Sequence, residues 1–377
     1  MQGAMILLTI CLLILCHGTA VRGKHSEKKL ITFNAALQDS LPMKLERREE
    51  LLKRVNASGA DVVCLQEVYD SFDIKWLKRR LLGNYLYSFS FIHQSVTRLK
   101  DSNGPPCKNP EFSELLTCIS TQCSQFDTSV KEGKRAFYGC LRQHCAKQVV
   151  SLPQECLMCF FIRKNINEAH NVCHLNSTTM INVPGLLLFS KHEILNASAV
   201  EYHPGVMEVA KRGYLQSYIK TIGTVVCTHL STPFMGDFYP EGFLTYGSYS
   251  AQNLAEVGKL LAAFQDTTPL VLAGDFNTGP DIPESDVCTE LPDSYKALTS
   301  TEASLFHVPF DKCTFCNGNT WLKKDCDWIV DHVFLRGHSF KCITRIFDDP
   351  YVQKRHHISD HYGLMATFRV PGTKIIA

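Results

Sequence analysis

Whatever this chain folds into must accommodate the stretch Leu270-Val271-Leu272-Ala273-Gly274-Asp275-Phe276-Asn277-Thr278. Leu270 to Ala273 reads as a buried strand that carries the chain to a sheet edge. Gly274 is expected to allow a tight bend there. Side chains alternate along a strand, so Asp275 and Asn277 are expected to point the same way. A carboxylate and an amide held together can take a proton and hold a charged oxygen. That is half of a hydrolytic site.

Strand and helix patterns alternate on either side. Leu30 to Ala35 reads as a first strand. Leu41 to Val55 has apolar residues at helical spacing, with Pro42 at its start and Ser58-Gly59 at its end. Ala60 to Glu67 is a second strand and Ser71 to Leu82 a second helix. The pattern stops at Asn103-Gly104-Pro105-Pro106 and resumes at Val183 to Ser190. Strands then follow at Tyr214 to Ile219, Thr224 to Leu230, Trp328 to Leu335 and Leu364 to Val370, with a helix at Gln252 to Phe264. This alternation predicts an α/β layered core.

The N-terminus and the cysteines predict export. Met5 to Cys16 is a short apolar run before His17-Gly18-Thr19-Ala20, which fits a secretory signal over residues 1–20. Of 17 cysteines, 15 follow that segment and eight crowd into Cys107 to Cys173. Such density fits disulfides in an oxidising, extracellular setting. Segment 103–175 reads as an insert with two short helices, stapled because it is too small to bury much of a core alone. Metal binding by Cys156-x2-Cys159 is the rival. An odd count leaves at least one thiol free, and Cys64 and Cys227, in apolar strand patterns, are the candidates. Asn56, Asn176 and Asn196 head glycosylation sequons. No later stretch is apolar enough for a transmembrane helix. A formal net charge of +2 gives no global basic field for nucleic acid.

Apolar strands keep finishing in polar residues with chemical use: Asn34, Glu67, His229, Asp275 with Asn277, Asp331, and Asp360-His361. Singly, each is an ordinary turn or surface residue. Together they share a destination, because loops at one end of a sheet are where α/β sites gather. Phosphodiester hydrolysis suits the set. Glu67, Asn34 and Asp360 offer hard oxygen ligands for Mg²⁺, with Mn²⁺ the alternative. His361 could activate water or face the phosphate, oriented by Asp331. His229 and Asn277 could donate to non-bridging oxygens.

Asn34, Leu65-Gln66-Glu67, Thr228-His229-Leu230, Gly274-Asp275-Phe276-Asn277, Asp331-His332-Val333-Phe334 and Ser359-Asp360-His361 resemble, in order and context, the endonuclease/exonuclease/phosphatase superfamily. Gly185 to Ser190 and Arg212 to Leu215 look like its connecting strands. The resemblance spans roughly residues 28–95 and 180–372 and leaves the insert outside. It implies a DNase-like two-sheet α/β sandwich over residues 28–372, with metal-dependent phosphate ester cleavage at one end. It makes Glu67 the principal metal ligand, with Asn34 and Asp360 nearby. Asp331 and His361 become a carboxylate–histidine pair, though Asp327 could align in place of Asp331. Asp275 and Asn277 become the phosphate-side acid and amide, and His229 the second histidine.

Substrate is less constrained. Asp61 to Asp70 and the long segment between Asn277 and Asp331 look like the neutral sphingomyelinase branch, which implies a phospholipid head group at a membrane surface. A secreted deoxyribonuclease-like enzyme is the alternative, and a catalytically inactive binding protein of the same fold a further one. Leu157 to Ile162 could be an apolar wedge for a membrane or the core of the insert. The insert's basic residues are offset by acids and read as a solvated face.

Overall fold

The structure, a computed structural model, describes residues 26–94, 104–126, 131–176, 178–206, 208, 210–232, 246–322, 326–351 and 355–371. The expected signal segment lies outside the described residues. Among these residues two six-stranded sheets pack face to face. The first runs in the order β11 (Ser339–Ile346), β12 (Gly363–Arg369), β1 (Glu27–Asn34), β2 (Val62–Gln66), β4 (Leu187–Ser190), β3 (Tyr87–Ser90). The second runs β5 (Ile194–Glu201), β6 (Gly213–Ile219), β7 (Gly223–His229), β8 (Leu270–Asp275), β10 (Asp331–Arg336), β9 (Phe306–His307). This is the expected α/β sandwich.

Alternation along the strands builds its layers. Leu30, Val62, Cys64, Val225, Cys227, Val271, Ala273 and Val333 meet between the sheets. Ile31, Phe33, Val63 and Leu65 face outward onto helices Lys44–Ser58 and Ser71–Leu81. Leu270, Leu272 and Phe334 face the helix Tyr249–Ala263 on the other side. Strands covered on both faces read as continuous apolar runs, which explains why the central strands were recognisable. Gly59, at φ 69, closes the Lys44–Ser58 helix in the left-handed conformation that favours glycine. Cys64 and Cys227, expected to be unpaired, bridge to each other and join the two sheets.

Gly274 does not make a bend. It lies inside β8 opposite Thr228, where a Cβ would come within 2.1 Å of the Thr228 carbonyl oxygen. Close strand approach therefore requires the glycine. The chain turns at Asn277, at φ 49, past the end of the strand, so strand alternation does not orient its side chain.

The cysteine-rich segment holds more helix than two short pieces: Glu111–Cys118, Lys131–His144, Ala146–Ser151, Gln154–Phe161 and Ile166–Ala169. Bridges join Cys107–Cys156, Cys118–Cys145, Cys123–Cys140 and Cys159–Cys173. Cys156 and Cys159 thus have separate partners and do not form a metal pair. The segment also buries a core of its own, including Phe112, Leu115, Leu141 and Leu157, and closes it on Tyr69 and Val183 from the sandwich. Met158, Phe160 and Ile162 are buried in that core, so Leu157 to Ile162 is no exposed wedge. Among the described residues no helix is long and apolar enough to cross a membrane.

Candidate active site

Strand register brings the polar residues together. β7 and β8 are parallel and place His229 beside Asp275, while antiparallel β10 places Asp331 on its other flank. Asp331 therefore opens its strand rather than ending it; an antiparallel strand starts where its neighbours finish. In the first sheet Asn34 pairs with Gln66, next to Glu67. His361 stands just ahead of β12, whose residue Leu364 pairs with Thr32 of β1. All eight expected residues lie at this end of the sandwich.

Asp275 is the hub. Its Oδ2 accepts from Asn34 Nδ2 at 2.9 Å, and lies 3.3 Å from His229 Nε2 and 3.7 Å from His361 Nε2. Its Oδ1 accepts from the Asn277 backbone N–H at 3.0 Å. His361 Nδ1 is 2.9 Å from Asp331 Oδ2, so Asp331 is the partner of the histidine. Asp327 instead accepts from the Asn317 backbone N–H at 2.6 Å. Asn277 Nδ2 donates to the Leu230 carbonyl at 2.9 Å, which commits one of its two amide hydrogens.

Burial and neighbouring charge set the protonation states. Burial opposes a charge on His361, but Asp331 and Asp275 outweigh it and raise the imidazole to about 10. Burial, then Asp331, pushes Asp275 up to about 7 against the pull of His361. Burial, then the cations Arg212 and His361, holds His229 well below the ordinary histidine value. Arg212 Nη1 lies 2.9 Å from His229 Nδ1, and a guanidinium can only donate. Nδ1 of neutral His229 is thus an acceptor, and Nε2 carries the hydrogen that faces Asp275.

On the other flank, Glu67 is raised first by burial and next by the like charge of Asp360, with the Asn34 amide beside it. A buried carboxylate at φ 58, raised by the like charge beside it, makes a place that a cation would relieve. Asn34 Oδ1 accepts from Ala36 N at 3.1 Å and keeps a lone pair free. The oxygen-only donor set fits a hard divalent ion. Asp275, Asp331 and His361 also come close enough to share a cation. There the His361 imidazole already lies between the two acids. His203, Glu208 and Glu256 form a third such group. In it Lys211 Nζ stands 3.3 Å from Glu208, and Lys259 donates to His203 Nδ1, so ammonium groups supply the positive charge.

Three neighbours escaped the sequence reading. Arg212 fixes the His229 tautomer; its signal was its place at the head of the family-like strand Arg212 to Leu215, which gave it no role at the site. Tyr69 lies next to Glu67 and Arg212, and its ring fills the place where a Cβ on Gly185, at φ 71, would fall 2.6 Å from it. Phe315 packs its ring against His361 at a tilt of 50°, with centroids 4.7 Å apart, and the sequence offered no signal for it.

Residues 31–361 match the endonuclease/exonuclease/phosphatase family. Similar solved structures include an endonuclease/exonuclease/phosphatase from Beutenbergia cavernae DSM 12333, at 17% identity and TM-score 0.52, covering 92% of this chain and 72% of that one. Sphingomyelinase C from Streptomyces griseocarneus is similar at 16% identity and TM-score 0.50, covering 91% of this chain and 99% of that one. D. rerio TDP2 complexed with a single strand DNA product is similar at 13% identity and TM-score 0.50, with coverages of 91% and 99%. At these identities the likeness is one of fold. No curated protein matches the chain.

Proposed function

The chain belongs to the endonuclease/exonuclease/phosphatase family, and on that premise we propose that it is an exported, Mg²⁺-dependent phosphodiesterase of phospholipids such as sphingomyelin. The observation that carries the hydrolytic reading is the hub at Asp275, where an amide, two histidines and a second acid converge. Its lipid half rests on the sphingomyelinase-like stretches at Asp61 to Asp70 and between Asn277 and Asp331. The disulfides fit an extracellular setting.

Glu67, Asn34 and Asp360 would hold the divalent ion, which when bound supplies positive charge to a phosphoryl oxygen. Asp331 keeps His361 protonated and aimed, so Nε2 presents an N–H and a positive charge to a phosphoryl oxygen. Asp275, raised to about 7, can take the proton of an attacking water at Oδ2 near neutral pH. Neutral His229 turns Nε2–H into the same space, and Arg212 keeps that tautomer. Asn277 holds the turn after β8 and thereby the position of Asp275.

The test sets purified protein against sphingomyelin vesicles, plasmid DNA and a small chromogenic phosphodiester, each with Mg²⁺, with Mn²⁺ and with chelator. Release of phosphocholine that stops with chelator and returns with Mg²⁺ is expected. Salt-sensitive cleavage of DNA without lipid hydrolysis would move the substrate to the nuclease reading. No hydrolysis in any arm would leave a binding protein of this fold.

A further inference from the structure

The helical disulfide segment has no role in the chemistry above, yet one of its side chains grips both loops that leave the first sheet at the site. Arg163 follows the helix Gln154–Phe161 and is buried. Its Nη1 and Nη2 donate to the two Asp70 oxygens at 3.0 and 2.5 Å, and Nη1 also donates to Asp39. The neighbouring Ile162 carbonyl accepts from Asp39 N at 3.0 Å and Ser40 N at 3.2 Å. Asp39 lies on the loop after Asn34, and Asp70 on the loop after Glu67.

Those loops are laced together: Ala35 N donates to Gln66 O and Leu37 N to Glu67 O, each at 3.0 Å. Each also bends through a non-glycine residue in the left-handed region, Ala36 at φ 45 and Glu67 at φ 58. Such a conformation persists where the surroundings over-determine it. The segment's exit adds further ties, with Val68 N donating to Gly185 O and Ser71 N to Met180 O. Lys44 Nζ, 3.1 Å from Asp39 and 2.5 Å from Asp70, adds charge but not angle. The planar fork of Arg163 is bidentate on Asp70 and so fixes that carboxylate's orientation, while its Nη1 reaches Asp39 as well.

We propose that Arg163 is a positioning residue and that the disulfide-bonded segment is the mount from which it sets Asn34 and Glu67 for the metal. This rests on the metal-site reading above. Mn²⁺ binding to the full chain, read from the free-ion EPR signal, tests it without turnover. Arg163→Lys keeps the charge and loses the fork, and is expected to weaken Mn²⁺ binding about tenfold, the scale seen when outer partners of metal ligands are lost. Asp39→Asn, which spares the Arg163–Asp70 pair, is expected to weaken it in the same direction and by less. Near-UV circular dichroism verifies that each variant is folded, and Asp39→Asn decides should Arg163→Lys fail to fold. Arg54→Ala breaks ion pairs to Glu50 and Asp349 elsewhere on the Lys44–Ser58 helix and is expected to leave binding unchanged. Wild-type binding by both Arg163→Lys and Asp39→Asn, while Glu67→Gln loses it, would overturn the mount alone. Wild-type binding by Glu67→Gln would overturn the metal site and the mount with it.

Discussion

Replacing Asp331 by Asn separates charge from shape at the histidine. Asp331 is fully buried, and its Oδ2 meets His361 Nδ1 at 2.9 Å. A hydrogen bond to a charged group contributes about 1.5–3 kcal/mol. If that interaction is realised in the transition state, its loss slows the reaction about 10- to 150-fold. Electrostatics adds a second signature. Asp331 is the largest charge holding the His361 proton, so the variant releases it below the wild-type value of about 10. The alkaline limb of the rate profile should therefore move to lower pH. Asp331 also raises Asp275, so the acidic limb, set near 7, should move down as well. Asp327→Asn is the control, since Asp327 caps the Asn317 amide away from the histidine. The measurement is kcat and KM against pH on the chromogenic phosphodiester. A fall in kcat with little change in KM is expected, because the lost interaction acts on the transition state. Wild-type kcat in Asp331→Asn, or unmoved limbs, would refute the pairing as a catalytic device.

Three further outcomes follow from the same geometry. Cys64→Ser combined with Cys227→Ser cuts the bridge between the sheets, which spans 163 residues of sequence. It should cost about 2–5 kcal/mol in denaturant unfolding, and a smaller loss would mean that the sheets need no covalent tie. Gly274→Ala drives a methyl group against the Thr228 carbonyl, so β7 and β8 must separate between His229 and Asp275. A destabilisation of about 1–3 kcal/mol is expected, together with a lower kcat; unchanged activity would mean that the spacing of those strands does not matter. His332 is lowered to about 3 by burial and then by His307, and its Nε2 lies 2.7 Å from the Thr278 carbonyl. The unfolded chain protonates first as pH falls from 6.5, so the stability from His332 is complete above 6.5 and is lost toward pH 3. His332→Gln keeps a donor for that carbonyl and should flatten the urea midpoint against pH in this window. An equal slope in both proteins would refute the assignment.

What could be read from the sequence follows the burial of each strand. The recognised strands β1, β2, β4, β6, β7, β8, β10 and β12 are interior to their sheets. The overlooked β3, β5, β9 and β11 are the four sheet edges. An edge strand has neighbours on one side and mixes polar residues into its pattern, so it carries no continuous apolar run. The candidate site was legible for the same reason, because a polar residue stands out where a doubly covered strand ends. Asp331 stood out too, although it starts its strand, since register rather than chain direction decides which edge a residue reaches. Arg212 and Arg163 gave no such signal, because each is a cation beside an apolar stretch and its meaning depends on His229, Asp39 and Asp70. Such partners are fixed by tertiary packing between elements distant in sequence, which strand and helix periodicity does not encode. That asymmetry has a physical consequence. On the proposed reading, the groups set to face a phosphate sit on the sandwich, whereas long-range arginine contacts, one of them from the disulfide-bonded segment, hold the loops and the histidine beside them. If the proposed mount holds, variation in that segment would tune the site without altering any residue proposed to touch the substrate.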